Sequence, residues 1–225
     1  MRRRWMSWVG ALCLALSCAL GPASQPALAV GVASINSGGP AVGSFVADTG
    51  YSGGSAYSST SPVTTTGATN PAPTAVYQSE RFGKTFSYTF SGLATATPYT
   101  LRLHFAEIYW GAVGGGAGGV GSRVFNVAVN GTPALSNFDI YATAGGANIA
   151  LERDFNVTSS TTGTVTMAYT TITDNAKSSG IELLANAPTL NATPESAPPD
   201  TTLTVTGGGF TPNAVVTYLI EKSGG

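Results

Sequence analysis

Two adjacent aromatics and a carboxylate close a strand-like run in the segment Phe105-Ala106-Glu107-Ile108-Tyr109-Trp110-Gly111-Ala112. Upstream, Tyr99, Leu101, Leu103 and Phe105 alternate with Thr100, Arg102 and His104, so one parity faces a core. The same parity continues to Glu107 and Tyr109, which places a charged group where an apolar one is due. A glycine-rich stretch, Gly111 to Gly121, follows. Aromatic faces bury apolar ligand surface, and a carboxylate accepts hydrogen bonds from ligand donors. A strand that ends in these groups at a glycine-rich rim is suited to hold something at its end. Successive strand residues point to opposite faces, so Tyr109 and Trp110 cannot both belong to the core.

Glu107 itself reads as support. A carboxylate on an inward parity needs a hydrogen-bonding or charged partner, and Arg81 or Arg123 can supply one. Glu80 and Arg81 are assigned the same internal role, and Asp48 is expected to stabilise a loop. His104 falls on the parity opposite the core, so it is expected to face solvent. It is the chain's single histidine, which leaves no histidine cluster for a metal. The run from Gly114 to Gly119 lacks the Lys-Ser/Thr ending of a phosphate loop and reads as a flexible rim. No metal or cofactor is expected.

The elements that must position these residues are short strands. Phe86, Tyr88 and Phe90 alternate with polar neighbours, as do Phe125, Val127 and Val129, and then Val165, Met167 and Tyr169; Ile181 to Leu184 closes the series. Asn130-Gly131 predicts a tight hairpin turn. No amphipathic helix is evident, and the Ser/Thr/Pro-rich stretch Pro62 to Pro73 predicts a loop. The fold class is therefore all-β, an antiparallel β-sandwich.

Composition limits the partners. Arg2 to Arg4, an apolar run from Val9 to Leu20 and Ala27-Leu28-Ala29 predict a secretory signal peptide over residues 1–29, cleaved near Ala29. A lipoprotein signal ending at Cys18 fits less well, because Ala15 and Leu16 make a poor lipid-attachment box. Both cysteines, Cys13 and Cys18, lie within the signal, so disulfides and thiolate metal sites are excluded from the mature chain. Losing the three arginines takes the formal net charge from −1 to −4 and leaves seven scattered basic residues. That argues against nucleic acid and anionic membranes as partners. No later stretch is long and apolar enough to span a membrane, so a secreted or cell-surface protein is expected. Oligomeric state is not legible.

Several segments, in order, carry a resemblance: Ile35-Asn36-Ser37-Gly38-Gly39, Phe45-Val46-Ala47-Asp48, Gly53-Gly54-Ser55-Ala56-Tyr57, Val76-Tyr77-Gln78-Ser79-Glu80-Arg81-Phe82-Gly83, Phe105 to Trp110, Arg123 to Val127 with Asn130-Gly131, and Asp174-Asn175-Ala176-Lys177. Together they resemble the malectin family of carbohydrate-binding domains from about Val32 to Leu184. The resemblance implies a β-sandwich of the jelly-roll or galactose-binding-like type that binds glucose-containing oligosaccharides through aromatic side chains and one aspartate. The corresponding residues are Tyr57, Phe82 in place of a tyrosine, Tyr109, Trp110 in place of a phenylalanine, and Asp174. Sugar chemistry calls for the same types: a pyranose lays its C–H-rich face on a ring and offers hydroxyls, edge-on, to acceptors. Phe82 equally suits a core cap, and Asp174 a turn.

Residues 30–186 are thus expected to form the malectin-like domain. Residues 187–225, with Leu203 to Phe210, resemble the start of an immunoglobulin-like module of the IPT/TIG type. The leading functional reading is non-catalytic binding of a glucose-containing oligosaccharide or polysaccharide. Two alternatives stand against it: a structural or adhesive domain without a working sugar site, and a glycosidase pairing Glu107 with Asp174 or Asp48, as hydrolysis needs two carboxylates.

Overall fold

A computed structural model describes residues 30–186, 189–193, 202 and 204–208. The expected signal over residues 1–29 lies outside these, as does most of 187–225. Ala29–Asn186 form one compact unit.

This unit is built from β1 (Val30–Asn36), β2 (Tyr51–Ser58), α1 (Thr74–Tyr77), β3 (Ser79–Phe90), β4 (Pro98–Phe105), β5 (Val124–Val129) and β6 (Thr132–Phe138). There follow α2 (Ile140–Ala144), β7 (Leu151–Thr158), β8 (Val165–Thr173), β9 (Ala176–Ser178) and β10 (Gly180–Ala185). One sheet has four strands in the order β1-β10-β4-β7. The second has six, in the order β2-β3-β8-β5-β6 with β9 paired to β3, and every pairing is antiparallel. Beyond it, β11 (Thr189–Thr193) and β12 (Thr204–Gly208) form an antiparallel pair.

The core lies between the sheets. Leu101, Leu103 and Phe105 of β4 and Ile181 and Leu183 of β10 meet Phe86 and Tyr88 of β3, Phe125 and Val127 of β5, and Met167 and Tyr169 of β8. The alternations in sequence are therefore the inward faces of real strands. Between β5 and β6 the turn residues Asn130 and Gly131 both take positive φ, 48° and 81°. That pair of angles matches the right-handed twist of the flanking strands, which is why Asn-Gly is favoured there.

Two expectations are corrected. The strand does not run on to Ala112; β4 ends at Phe105, and residues 106–112 have no regular structure. His104 does not face solvent: it is fully buried. Its sheet face is covered by a second apolar cluster, including Phe45, Val63, Val76, Tyr77 and Ile108, drawn largely from loop and α1 residues with no periodic pattern. There His104 Nε2 lies 2.9 Å from Glu182 Oε2, and Nδ1 lies 2.9 Å from the Tyr77 hydroxyl. Burial pushes that hydroxyl up to about 12.

Candidate functional site

Below the rim of the sandwich lies a buried set of four charged side chains. Glu107 follows β4 and is 1% exposed; Arg123 immediately precedes β5. Arg123 Nε donates to Glu107 Oε2 at 2.7 Å, while Glu107 Oε1 accepts the backbone N–H groups of Tyr109 and Trp110, both at 3.0 Å. The carboxylate thus pins the turn that carries both aromatics. Glu80 of β3 and Lys177 of β9 complete the set, 2.5 Å apart and almost wholly buried. Lys177 also donates to the Ala106 carbonyl, and Arg123 Nη2 lies 3.9 Å from Glu80 Oε1. Two cations and two carboxylates removed from water together leave no uncompensated charge, the condition for tolerating any of them.

Burial alone would raise the Glu107 carboxyl, but the charges of Lys177 and Arg123, with the hydrogen bonds from Arg123 and the Trp110 amide, outweigh it. The group is held below its ordinary value of 4.5. Arg123 is likewise opposed by burial yet raised by Glu80 and Glu107. Glu107 therefore binds its proton more weakly folded than unfolded. Its contribution to stability is complete above 4.5 and is lost as pH falls through the lower folded value. Denaturant unfolding followed from about pH 7 to about pH 3 should show a loss of stability in that acid range. The loss should shrink in Glu107→Gln; an unchanged acid profile in that variant would refute the assignment.

Above this set sit the aromatics. Tyr57 of β2 and Tyr109 meet edge to face, centroids 5.8 Å apart at 87°, and Tyr109 meets Trp110 at 4.9 Å and 84°. The indole Nε1 of Trp110 donates to Asp174 Oδ2 at 2.9 Å. Asp174 occupies the turn between β8 and β9 with φ 57°, a left-handed conformation uncommon outside glycine but more open to aspartate and asparagine than to most residues. Arg123 Nη1 lies 3.5 Å from the same Oδ2 and donates to the Asn175 carbonyl at 2.7 Å. Tyr57, Phe82, Tyr109, Trp110 and Asp174 all line one cleft of about 390 Å³, with Glu80, Arg123 and Asn175 at its floor and wall.

All five residues singled out as ligand contacts are therefore brought together, from β2, β3, the turn after β4 and the turn after β8. Glu107 lies beneath them and does not line the cleft. Arg81 and Asp48 stand apart from it. Arg81 does not pair with Glu107; its Nε and Nη2 donate to Asp48 Oδ2 at 2.9 and 2.6 Å. It also donates to the carbonyls of Gly53 and Gly54 and lies over the Tyr51 ring. Sequence reasoning missed Lys177. The signal was available: Glu80 shares the inward parity of Phe86 and Tyr88, so two inward carboxylates called for two cations, and only one was sought.

The glycine-rich stretch has a steric role in addition to any flexibility. Gly111 N–H donates to Gly116 O and Gly115 N–H to Ala112 O, which folds the loop back on the aromatic turn. A Cβ on Gly116 would lie 2.7 Å from Trp110 Cζ3 and 2.9 Å from Tyr109 Cε1, and one on Gly115 would lie 2.0 Å from the Tyr109 carbonyl oxygen. Side chains there would displace the rings. The expectation of a merely flexible rim missed this, because close approach leaves no periodic trace in sequence.

A family model described as Malectin domain matches residues 31–192. Comparison with curated proteins finds no match. Among solved structures, the ANXUR1 extracellular domain from Arabidopsis thaliana is 18% identical with a TM-score of 0.59, over 68% of this chain and 48% of that one. The plant receptor-like kinase ANX2 is 19% identical with a TM-score of 0.59, over 68% and 47%. A Bacteroides uniformis β-glucuronidase is 16% identical with a TM-score of 0.51, over 67% of this chain but 18% of its own. The chain thus spans less than half the length of the plant proteins it matches, and at these identities the likeness is one of fold.

Proposed function

Because the chain belongs to the malectin domain family, we propose that its cleft binds a glucose-containing oligosaccharide or the end of a glucan without cleaving it. The observation that carries this reading is the convergence of four aromatic side chains and one partly exposed carboxylate on a single cleft of about 390 Å³, a volume usual for small-ligand sites. Ring faces at right angles give a pyranose two apolar walls. Asp174, 27% exposed, gives its hydroxyls an acceptor. A neutral ligand neutralises no charge, so affinity should be insensitive to salt.

The paired carboxylates of the buried set favour binding over hydrolysis. A general acid must carry a proton near neutral pH, whereas Glu107 is held below the ordinary range and both its oxygens are engaged. Among the described residues no group of His, Cys, Asp and Glu is placed to hold a metal, and no helix is long and apolar enough to cross a membrane. The signal-like residues 1–29 support a secreted or cell-surface module.

Calorimetry with maltose-, cellobiose- and laminaribiose-series oligosaccharides tests the proposal. At least one series should bind the wild type, at equal affinity in low and high salt. Tyr109→Ala should weaken that binding by about tenfold or more, on the order of 1.4 kcal/mol. Wild type that binds no glycan would favour a structural or adhesive domain, and release of new reducing ends would favour a glycosidase.

A further inference from the structure

Trp110 is wedged in place and is not a free platform. Gly116 and Gly118 crowd the benzo edge of its indole, since a Cβ on either would lie under 3.0 Å from ring carbons. Tyr109 meets it edge to face, and its Nε1 is committed to Asp174. The acceptor capacity of Asp174 is correspondingly limited. A carboxylate offers about four lone-pair sites. On Oδ2 one takes the Trp110 indole N–H at 2.9 Å, and Arg123 Nη1 stands 3.5 Å away. On Oδ1 one takes the side-chain amide of Asn175 at 3.1 Å. The backbone of Asp174 is held in its left-handed conformation by the Thr171 hydroxyl, which donates to the Asp174 carbonyl. Non-glycine residues kept in such conformations are concentrated at ligand clamps.

We propose that Trp110 is a positioning residue whose indole N–H, held on Oδ2, fixes the Asp174 carboxylate so that the free lone pair of Oδ1 is set to accept a sugar hydroxyl. This rests on the binding reading above and sharpens its ligand class. The preferred sugar is neutral and presents one donating hydroxyl at that point. The matching deoxy or O-methyl sugar, which has no proton to donate, is rejected, and so is a uronate, which brings a second carboxylate against the first.

A double-mutant cycle separates positioning from stacking. Trp110→Phe keeps an aromatic ring and removes the N–H, and Asp174→Asn keeps the shape and removes the charge. Each should weaken binding of the preferred gluco-oligosaccharide roughly tenfold, and the double variant should be little worse than either, a coupling of roughly tenfold. Tryptophan occurs at positions 5, 8 and 110 alone, so the Trp110 indole ¹⁵N–H resonance of the full chain is identified by its loss in Trp110→Phe. That resonance should shift in Asp174→Asn and on saturation with the sugar. Thermal melts of each variant show that it is folded.

Losses that simply multiply, or an indole resonance indifferent to Asp174→Asn, would overturn the positioning role while leaving sugar binding intact. Failure of the wild type to bind any gluco-oligosaccharide would sink the binding reading, and this proposal with it.

Discussion

Replacing Arg123 with methionine is expected to destabilise the domain by about 3–5 kcal/mol, more than any other single exchange in the cleft. The guanidinium is 4% exposed and serves four groups: Glu107 at 2.7 Å, the Asn175 carbonyl at 2.7 Å, Asp174 at 3.5 Å and Glu80 at 3.9 Å. Without it, Glu80 and Glu107 share the one remaining cation, Lys177, inside a medium that solvates neither. A domain of this size should melt on the order of 10 °C lower. Methionine fills much of the same volume, so the loss is electrostatic and not a cavity. The double variant Arg123→Met/Glu107→Gln should accordingly recover part of the stability, because it removes the orphaned charge. Scanning calorimetry of the two variants decides it. A melt within about 2 °C of wild type for Arg123→Met would show that the four charges are not a coupled unit.

The arrangement also links stability to binding. Glu107 holds Arg123 with one oxygen and the amides of Tyr109 and Trp110 with the other. Arg123 in turn reaches Asp174 and the Asn175 carbonyl. The aromatic turn and the aspartate turn come from distant parts of the chain, yet the same ion pair sets their separation. Variants of the buried set should therefore lose sugar affinity even where the fold survives.

How much of this could be read beforehand depended on the kind of pattern involved. Two-residue alternation identified the inward faces of β3, β4, β5 and β8, because a sheet with one buried face imposes that period. The hairpin at Asn130-Gly131 was legible because few residues accept positive φ twice in succession. The strand β7 was not, since its residues Glu152, Arg153 and Asp154 carry no apolar alternation; as an edge strand it packs by Phe155 and Val157 and pairs Asp154 with Arg102. Tyr109 and Trp110 would face opposite ways only in a regular strand. They lie in a turn pinned by Glu107, and both line the same cleft. His104 was misplaced for a related reason, because the cover over its sheet face is aperiodic loop. Residue types at the cleft could be identified from motif order, whereas their mutual geometry depends on contacts between segments far apart in sequence.

Gly115 offers the sharpest test that this geometry, and not merely the presence of aromatic residues, makes the site. It does not line the cleft, and its φ lies outside the left-handed region that favours glycine. A methyl group there would nevertheless lie 2.0 Å from the Tyr109 carbonyl oxygen and 2.8 Å from its carbon. Both are backbone atoms, so the turn carrying Tyr109 and Trp110 must move as a body. Tyr109 would then lose its edge-to-face contact with Tyr57, and Trp110 its hold on Asp174. Gly115→Ala is expected to weaken sugar binding on the order of 100-fold, about 2.7 kcal/mol. Its melting temperature should fall far less than that of Arg123→Met, since the loop lies outside the core between the sheets. Gly119→Ala, in the same stretch but with only ordinary contact to Tyr141 at 3.8 Å, should bind as wild type does. Calorimetric titration of the pair measures the difference. Equal affinity for the two variants would mean that the glycines serve flexibility alone, and that the rings find their places without them.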